Sequence, residues 1–195
     1  MPFLKEIVDY LNTGLTSGNL SQYKTNCVGI TQTGHREGDS FPVIFSDKGN
    51  GEVDAFNDSK DLTIYHRCLD IQYTLENTTS QFGNGGANFI EIAVMKMIVL
   101  GKRDVVLLTQ EQLAFKVISG FSTNPPRADF VLSGLVQSPV ITITNVDKNS
   151  QSVYQNEFKL AGVEYPIKPN HLYFAINYKI TTHYNSSCTD ACSDC

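Results

Sequence analysis

The sequence contains no tryptophan, no long apolar run free of charge, and no stretch in which lysine and arginine collect. Each absence excludes something. A chain of net charge −5 without a basic patch is ill suited to nucleic acid, whose phosphates demand clustered cations. The longest apolar stretch, IAVMKMIVL at 92–100, is broken by Lys96 and falls far short of the ~20 residues a spanning helix needs. Lys5, Glu6 and Asp9 interrupt the opening segment, so no apolar core of a secretory signal is visible there. The sequons at Asn77 and Asn185 are then expected to be incidental. The five cysteines, an odd number, are expected to be thiols rather than a disulfide framework.

What is present suggests strands and turns: 9 Tyr, 11 Phe and 14 Gly in 195 residues. A chain of this length forms a substantial core without covalent staples. The first segment places Phe3, Leu4, Ile7, Val8 and Leu11 on one helical stripe, with Gly14 as its expected end. The runs CVGI (27–30) and FPVIF (41–45) read as a hairpin joined by a loose polar loop. A polar, glycine-rich loop is expected over 46–61.

Within 62–76, Leu69, Ile71, Tyr73 and Leu75 alternate with Asp70, Gln72, Thr74 and Glu76, a strand with one buried and one wet face. After a second glycine-rich loop (77–88), FIEIAVMKMIVL (89–100) has apolar positions that share a helix face, which predicts a helix. DVVLLT (104–109) reads as a strand, EQLAFKVISGF fits helix or strand, and PVITIT (139–144) and SVYQNEFKL (152–160) read as strands. The clearest element is HLYFAINYKITTHY (171–184), where Leu172, Phe174, Ile176, Tyr178 and Ile180 alternate with Tyr173, Asn177, Thr181 and His183 on a wet face.

The expected fold is α+β: a mostly antiparallel sheet, an N-terminal helix, a helix packed on one face, and a long C-terminal strand. One domain is expected over 1–185, with 186–195 as a polar tail.

Chemistry is sparse. Cys188, Cys192 and Cys195 repeat the C-x3-C-x2-C spacing of radical iron–sulfur enzymes, but the barrel that follows the motif in those enzymes is missing here. A zinc site would have to recruit His183, Cys27 or Cys68 as a fourth ligand. FGNGGANF (82–89) lacks the residues that complete a phosphate loop. GHREGD (34–39) and YHRCLD (65–70) gather histidine, arginine and carboxylates, yet His66 and Cys68, two apart on a strand, do not meet as base and nucleophile normally do. No catalytic residue, cofactor or metal is therefore expected.

The helix FLKEIVDYLN, the strand RCLDIQYTLE, the expected helix FIEIAVMKMIVL and the strand HLYFAINYKITTHY together resemble the tail-completion and tail-terminator proteins of tailed bacteriophages. The composition looks similar to that of elaborated ring proteins of the neck and tail of crAss-like phages. The resemblance implies a structural virion protein, assembled in the host cytoplasm, in which residues 103–170 exceed the usual family length and form an insertion or β-rich elaboration. It implies a hexameric or dodecameric ring around a DNA conduit, docked to portal-side and tail-side rings. An acidic chain suits a conduit that must not trap DNA. The expected contact is the edge of strand 171–184, completed by a second polypeptide, with Tyr173, Asn177, Thr181 and His183 as the oligomer interface. The alternative is a β-rich carbohydrate-binding or adhesin-like module, which the tyrosines permit and the missing tryptophan weakens.

Overall fold

The computed structural model describes residues 2–36, 39–45, 52–54, 59–76, 88–121, 125, 137–148 and 170–185. Helix α1 (Pro2–Ser17) is followed by strands β1 (Thr25–Ile30), β2 (Gln32–Arg36), β3 (Asp39–Phe45) and β4 (Glu52–Asp54). Two long strands come next, β5 (Leu62–Glu76) and β6 (Asn88–Lys102). Helices α2 (Arg103–Val106) and α3 (Gln110–Ser119) then lead to β7 (Val140–Asp147) and β8 (His171–Asn185). The main sheet has the order β1-β5-β6-β8-β7, parallel only at β1–β5, and a separate three-stranded sheet has the order β2-β3-β4. The fold is α+β on a mostly antiparallel sheet.

Helix α1 buries Leu4, Ile7, Val8, Leu11 and Leu15 on one stripe. Fully burying an aliphatic side chain contributes roughly 1.5–3 kcal/mol, so this stripe is what holds the helix to the sheet. Gly14 does not end it: Leu15 continues the stripe one turn past Leu11, and the chain leaves the helix only at Gly18. The same core takes Ile64, Met95, Met97 and Val99 from the sheet, Leu113 and Val117 from α3, and Phe174 and Tyr178 from β8. Since α3 and Ile141 of β7 belong to this core, the described part of 103–170 is built into the main layer.

The segment 89–100 is a strand, not the expected helix. Its run is apolar on both faces, so helical and alternating patterns coexist in it. What decides is the register, with Val99 between Ile64 and Phe174, and Met97 between His66 and Ile176. Hydrogen-bonded on both edges, β6 is extended, and Ile90, Ile92, Val94 and Ile98 are the β-branched type that packs well on a pleated surface. The helix packed on the sheet is α3 instead. Its N-terminus is set by a capping box in which the Thr109 hydroxyl accepts from Gln112 N–H and the Gln112 side chain returns the bond.

The expected strand at 104–109 is the short α2, the left-handed Leu107 (φ 49°) and the N-cap Thr109. The hairpin expected between 27–30 and 41–45 is shifted: β1 pairs in parallel with β5, and β2 pairs with β3. The expected strand at 152–160 lies outside the described residues, as do most of the loops 46–61 and 77–88.

Strand β8 is internal. It pairs with β6 along its whole length and with β7 from Ala175 to Thr181, so over 175–181 both of its edges are completed within the chain. Among the described residues a longer unaccompanied stretch lies on β5. On the β1 side, pairing ends at Ile30–His66, and no described strand accompanies β5 from 67 to 76. Among the described residues no helix is long and apolar enough to cross a membrane.

Candidate functional site

Two polar clusters stand on the helix-covered face of the sheet, one inside the core and one beyond it. In the first, Asn12 of α1 donates through Nδ2 to the Val28 carbonyl (3.3 Å), which turns its Oδ1 toward His66 Nε2 (2.9 Å). His66 must therefore carry its proton on Nε2, leaving Nδ1 to accept from the Tyr178 hydroxyl at 2.7 Å. The His66 carbonyl accepts from both the amide (2.7 Å) and the hydroxyl (3.0 Å) of Thr31. Burial lowers the His66 pKa to about 3, so the ring is neutral at physiological pH. Burial likewise pushes the Tyr178 phenol well up. With both nitrogens engaged, His66 tethers α1 to β5 and β8.

Cys68, two residues on, directs its thiol to the Asp70 carbonyl at 3.7 Å rather than to His66. Desolvation, chiefly, raises its pKa. Burial pushes the Cys27 thiol up to about 12. Neither thiol is activated as a nucleophile, which requires a depressed pKa or an adjacent base. Among the described residues no group of three or more His, Cys, Asp or Glu side chains is placed to hold a metal. Cys188, Cys192 and Cys195 lie outside the described residues, and so do the side chains of 34–39. The part of 82–89 that is described, 88–89, opens a strand, so no helix N-terminus follows the glycines.

The second cluster occupies the far half of the ribbon β5-β6-β8, past the reach of β1. There the register sets Tyr73, Glu91 and Thr182 in one row and Phe89 beside Tyr184 in the next. The Tyr184 hydroxyl donates to Glu91 Oε1 (3.1 Å) and accepts from Thr182 Oγ1 (2.8 Å). Tyr73 is the register partner of Glu91, and its pKa is raised by desolvation first and then by Glu91. The Tyr184 phenol is raised mainly by burial. Around this cluster the apolar surface opens: Leu69 is 48% exposed, Tyr73 62% and Leu75 60%. Leu69 is the extra residue of a bulge between Cys68 and Asp70.

The expected interface residues sit on the opposite face of β8. Asn177, Thr181 and His183 are half-buried there, next to Lys96, Ile92 and Ile90 of β6. Tyr173 departs from the expectation of a wet residue, being only 6% exposed. Near that end of the sheet both faces are covered, since Tyr65, Ile98 and Ala175 of the same face are buried as well. The Tyr173 carbonyl also accepts from the Gln110 side chain of α3. Sequence reasoning missed Glu91 and Tyr184 because it read the first on a helix. Their signal is the pairing of a lone carboxylate in an apolar strand with tyrosines in two neighbours.

No protein-family model matches this chain, and no curated protein is significantly similar to it.

Proposed function

We propose that this protein is a structural assembly subunit, one that joins copies of itself into a ring through its sheet rather than performing a reaction. The observation that carries the reading is the far half of β5. It has no described strand on its outer side, and it exposes Leu69, Tyr73 and Leu75 in one short segment. Unpaired backbone donors and acceptors beside exposed apolar side chains are what strand addition uses. The placement is that of a virion neck or tail ring, of six or twelve copies around a DNA conduit and docked to portal-side and tail-side rings. It rests on the sequence resemblance, three of whose four parts keep their expected type: the first helix, strand 67–76 and strand 171–184. The fourth, 89–100, is a strand, and the contact edge of this proposal is that of β5 rather than of β8. The acidic net charge suits a DNA conduit.

The test is the mass of the purified protein across a concentration series, alongside negative-stain images. Annular particles of one copy number are expected; a monomer at all concentrations overturns the reading. A second reading, carbohydrate binding, draws on the exposed Tyr73 ring beside the tyrosine-held Glu91 carboxylate, an aromatic platform next to an acceptor. Glycan-array binding lost in Tyr73→Ala would favour it.

A further inference from the structure

Resting on the assembly reading above, we infer that the far half of β5 pairs, antiparallel, with β7 of the next copy, so that the main sheet runs on from subunit to subunit. The sheet order places β7 at the end opposite β1 and β5, with no described strand on its outer side. Strand directions fit a ring. The pairs β5–β6, β6–β8 and β8–β7 are all antiparallel, so β5 and β7 run in opposite senses. Rotation about an axis along the strands preserves those senses. The β5 of one copy therefore meets β7 of its neighbour antiparallel, with the helix-covered faces on the same side. Two different surfaces meet, which makes the contact heterologous, the kind that closes into a ring.

The two bulges set the register. On the helix-covered face β5 carries Cys68, Ile71 and Tyr73, opposite Met95, Ala93 and Glu91 of β6. On the same face β7 carries Ile141, Ile143 and Val146, opposite Ile180, Tyr178 and Ile176 of β8. Each strand has one extra residue, Leu69 in β5 and Thr144 in β7. Setting Ile143 opposite Ile71 puts Ile141 opposite Tyr73 and Val146 opposite Cys68, with Thr142 opposite Gln72 and Val140 opposite Thr74 on the other face. The bulges then fall side by side and cancel.

Backbone polarity agrees. The His66 carbonyl turns to the outer side of β5, where Thr31 takes it, so the residues of that face, Ile71 and Tyr73 included, present N–H and C=O outward. The Asn177 carbonyl turns toward β7 and accepts from the Thr144 hydroxyl, so its partner Asn145 faces β8 while Ile141 and Ile143 face out.

A shift of two residues either way fails. One sets Val146 beside His66, where β1 already pairs. The other separates the bulges, and realigning the faces brings Asp147 opposite Asp70, two like charges. In the matched register Asp147 comes beside Arg67 instead, a charge of opposite sign, whatever each bonds within its own chain. Within one copy Ile141 is level with Ile71, through Ile180 and Ala93, yet across the contact it meets Tyr73. That stagger of about 7 Å over four strand spacings, about 19 Å, closes without rise when the strands tilt roughly 20° from the ring axis.

The experiment is disulfide trapping in the full-length chain. Gln72 and Thr142 are both exposed and form a non-hydrogen-bonded pair across the contact, with Cβ atoms at the short end of about 4.5–5.5 Å. Within one copy they stand three strand spacings apart, about 14 Å, beyond bonding range. Mild oxidation of Gln72→Cys/Thr142→Cys should give a reducible ladder of covalent oligomers. It is expected at least about five-fold above either single variant, which with the native thiols sets the background. Thr74→Cys/Val140→Cys, the next pair on that face, should trap likewise, and the off-register Thr74→Cys/Thr142→Cys several-fold less, with circular dichroism confirming that each variant folds. Equal trapping in Gln72→Cys alone, or a ladder no stronger than background or than the off-register pair, overturns the pairing. Annular particles without the ladder leave the ring reading standing and refute this inference; a ladder without annular particles upholds the contact and refutes the ring.

Discussion

His66 is held neutral inside the core, donating to Asn12 and accepting from Tyr178, so protonating it means dismantling that arrangement. Its folded pKa of about 3 lies below the ordinary 6.5, so between those values the unfolded chain binds the proton that the native chain refuses. The stabilisation is complete above pH 6.5 and is lost as pH falls toward 3, by up to a factor of about ten in the folded-to-unfolded ratio per pH unit. Urea denaturation at pH 7, 5.5 and 4 should show this loss. In His66→Leu the histidine share of the slope should vanish, while stability at pH 7 falls by about 2–4 kcal/mol because Asn12 and Tyr178 lose their partner. Leu107 is a second informative residue, a left-handed leucine at the end of α2 that is 81% exposed. With no burial to lose there, Leu107→Gly should raise stability by up to about 1 kcal/mol, read as an upward shift in the thermal midpoint.

Among the elements, α1 was legible because its apolar residues recur at helical spacing while charged residues fill the opposite face. Truncating the middle of its stripe in Leu11→Ala should cost about 2–5 kcal/mol in chemical denaturation, through lost burial and the cavity left behind. The start of α3 was not read, although Thr109 and Gln112 carry the capping-box spacing; Thr109→Ala should cost about 1 kcal/mol. Strands β5 and β8 were legible from their alternation. Strand β6 was not, because its own run is apolar on both faces and so loses the two-residue period that identifies a strand. The misreading carried a cost at the site: Glu91 joins Tyr73 and Tyr184 only when 88–102 is extended.

At the scale of the whole molecule, the three long strands reach farther than the helices and the flanking strands that cover them, and the surplus is the proposed contact. Tyr73→Lys and Leu75→Lys should lower the oligomer fraction in light scattering several-fold while changing monomer stability by no more than about 0.5 kcal/mol, since both side chains are exposed in the isolated chain. An interface change at Thr181 on β8 should matter less, because backbone pairing there is already satisfied by β6 and β7.

The sequence by itself determined the class of fold, the first helix and the two clearest strands, since those follow from local periodicity that any packing must respect. Only the tertiary structure decided which strands are neighbours, and with that which stretch of β5 lacks a described partner strand, which histidine is locked, and which carboxylate Tyr184 holds. Those depend on register between segments far apart in the chain, where a shift of one residue exchanges the two faces of a strand, and no short window of sequence contains that information.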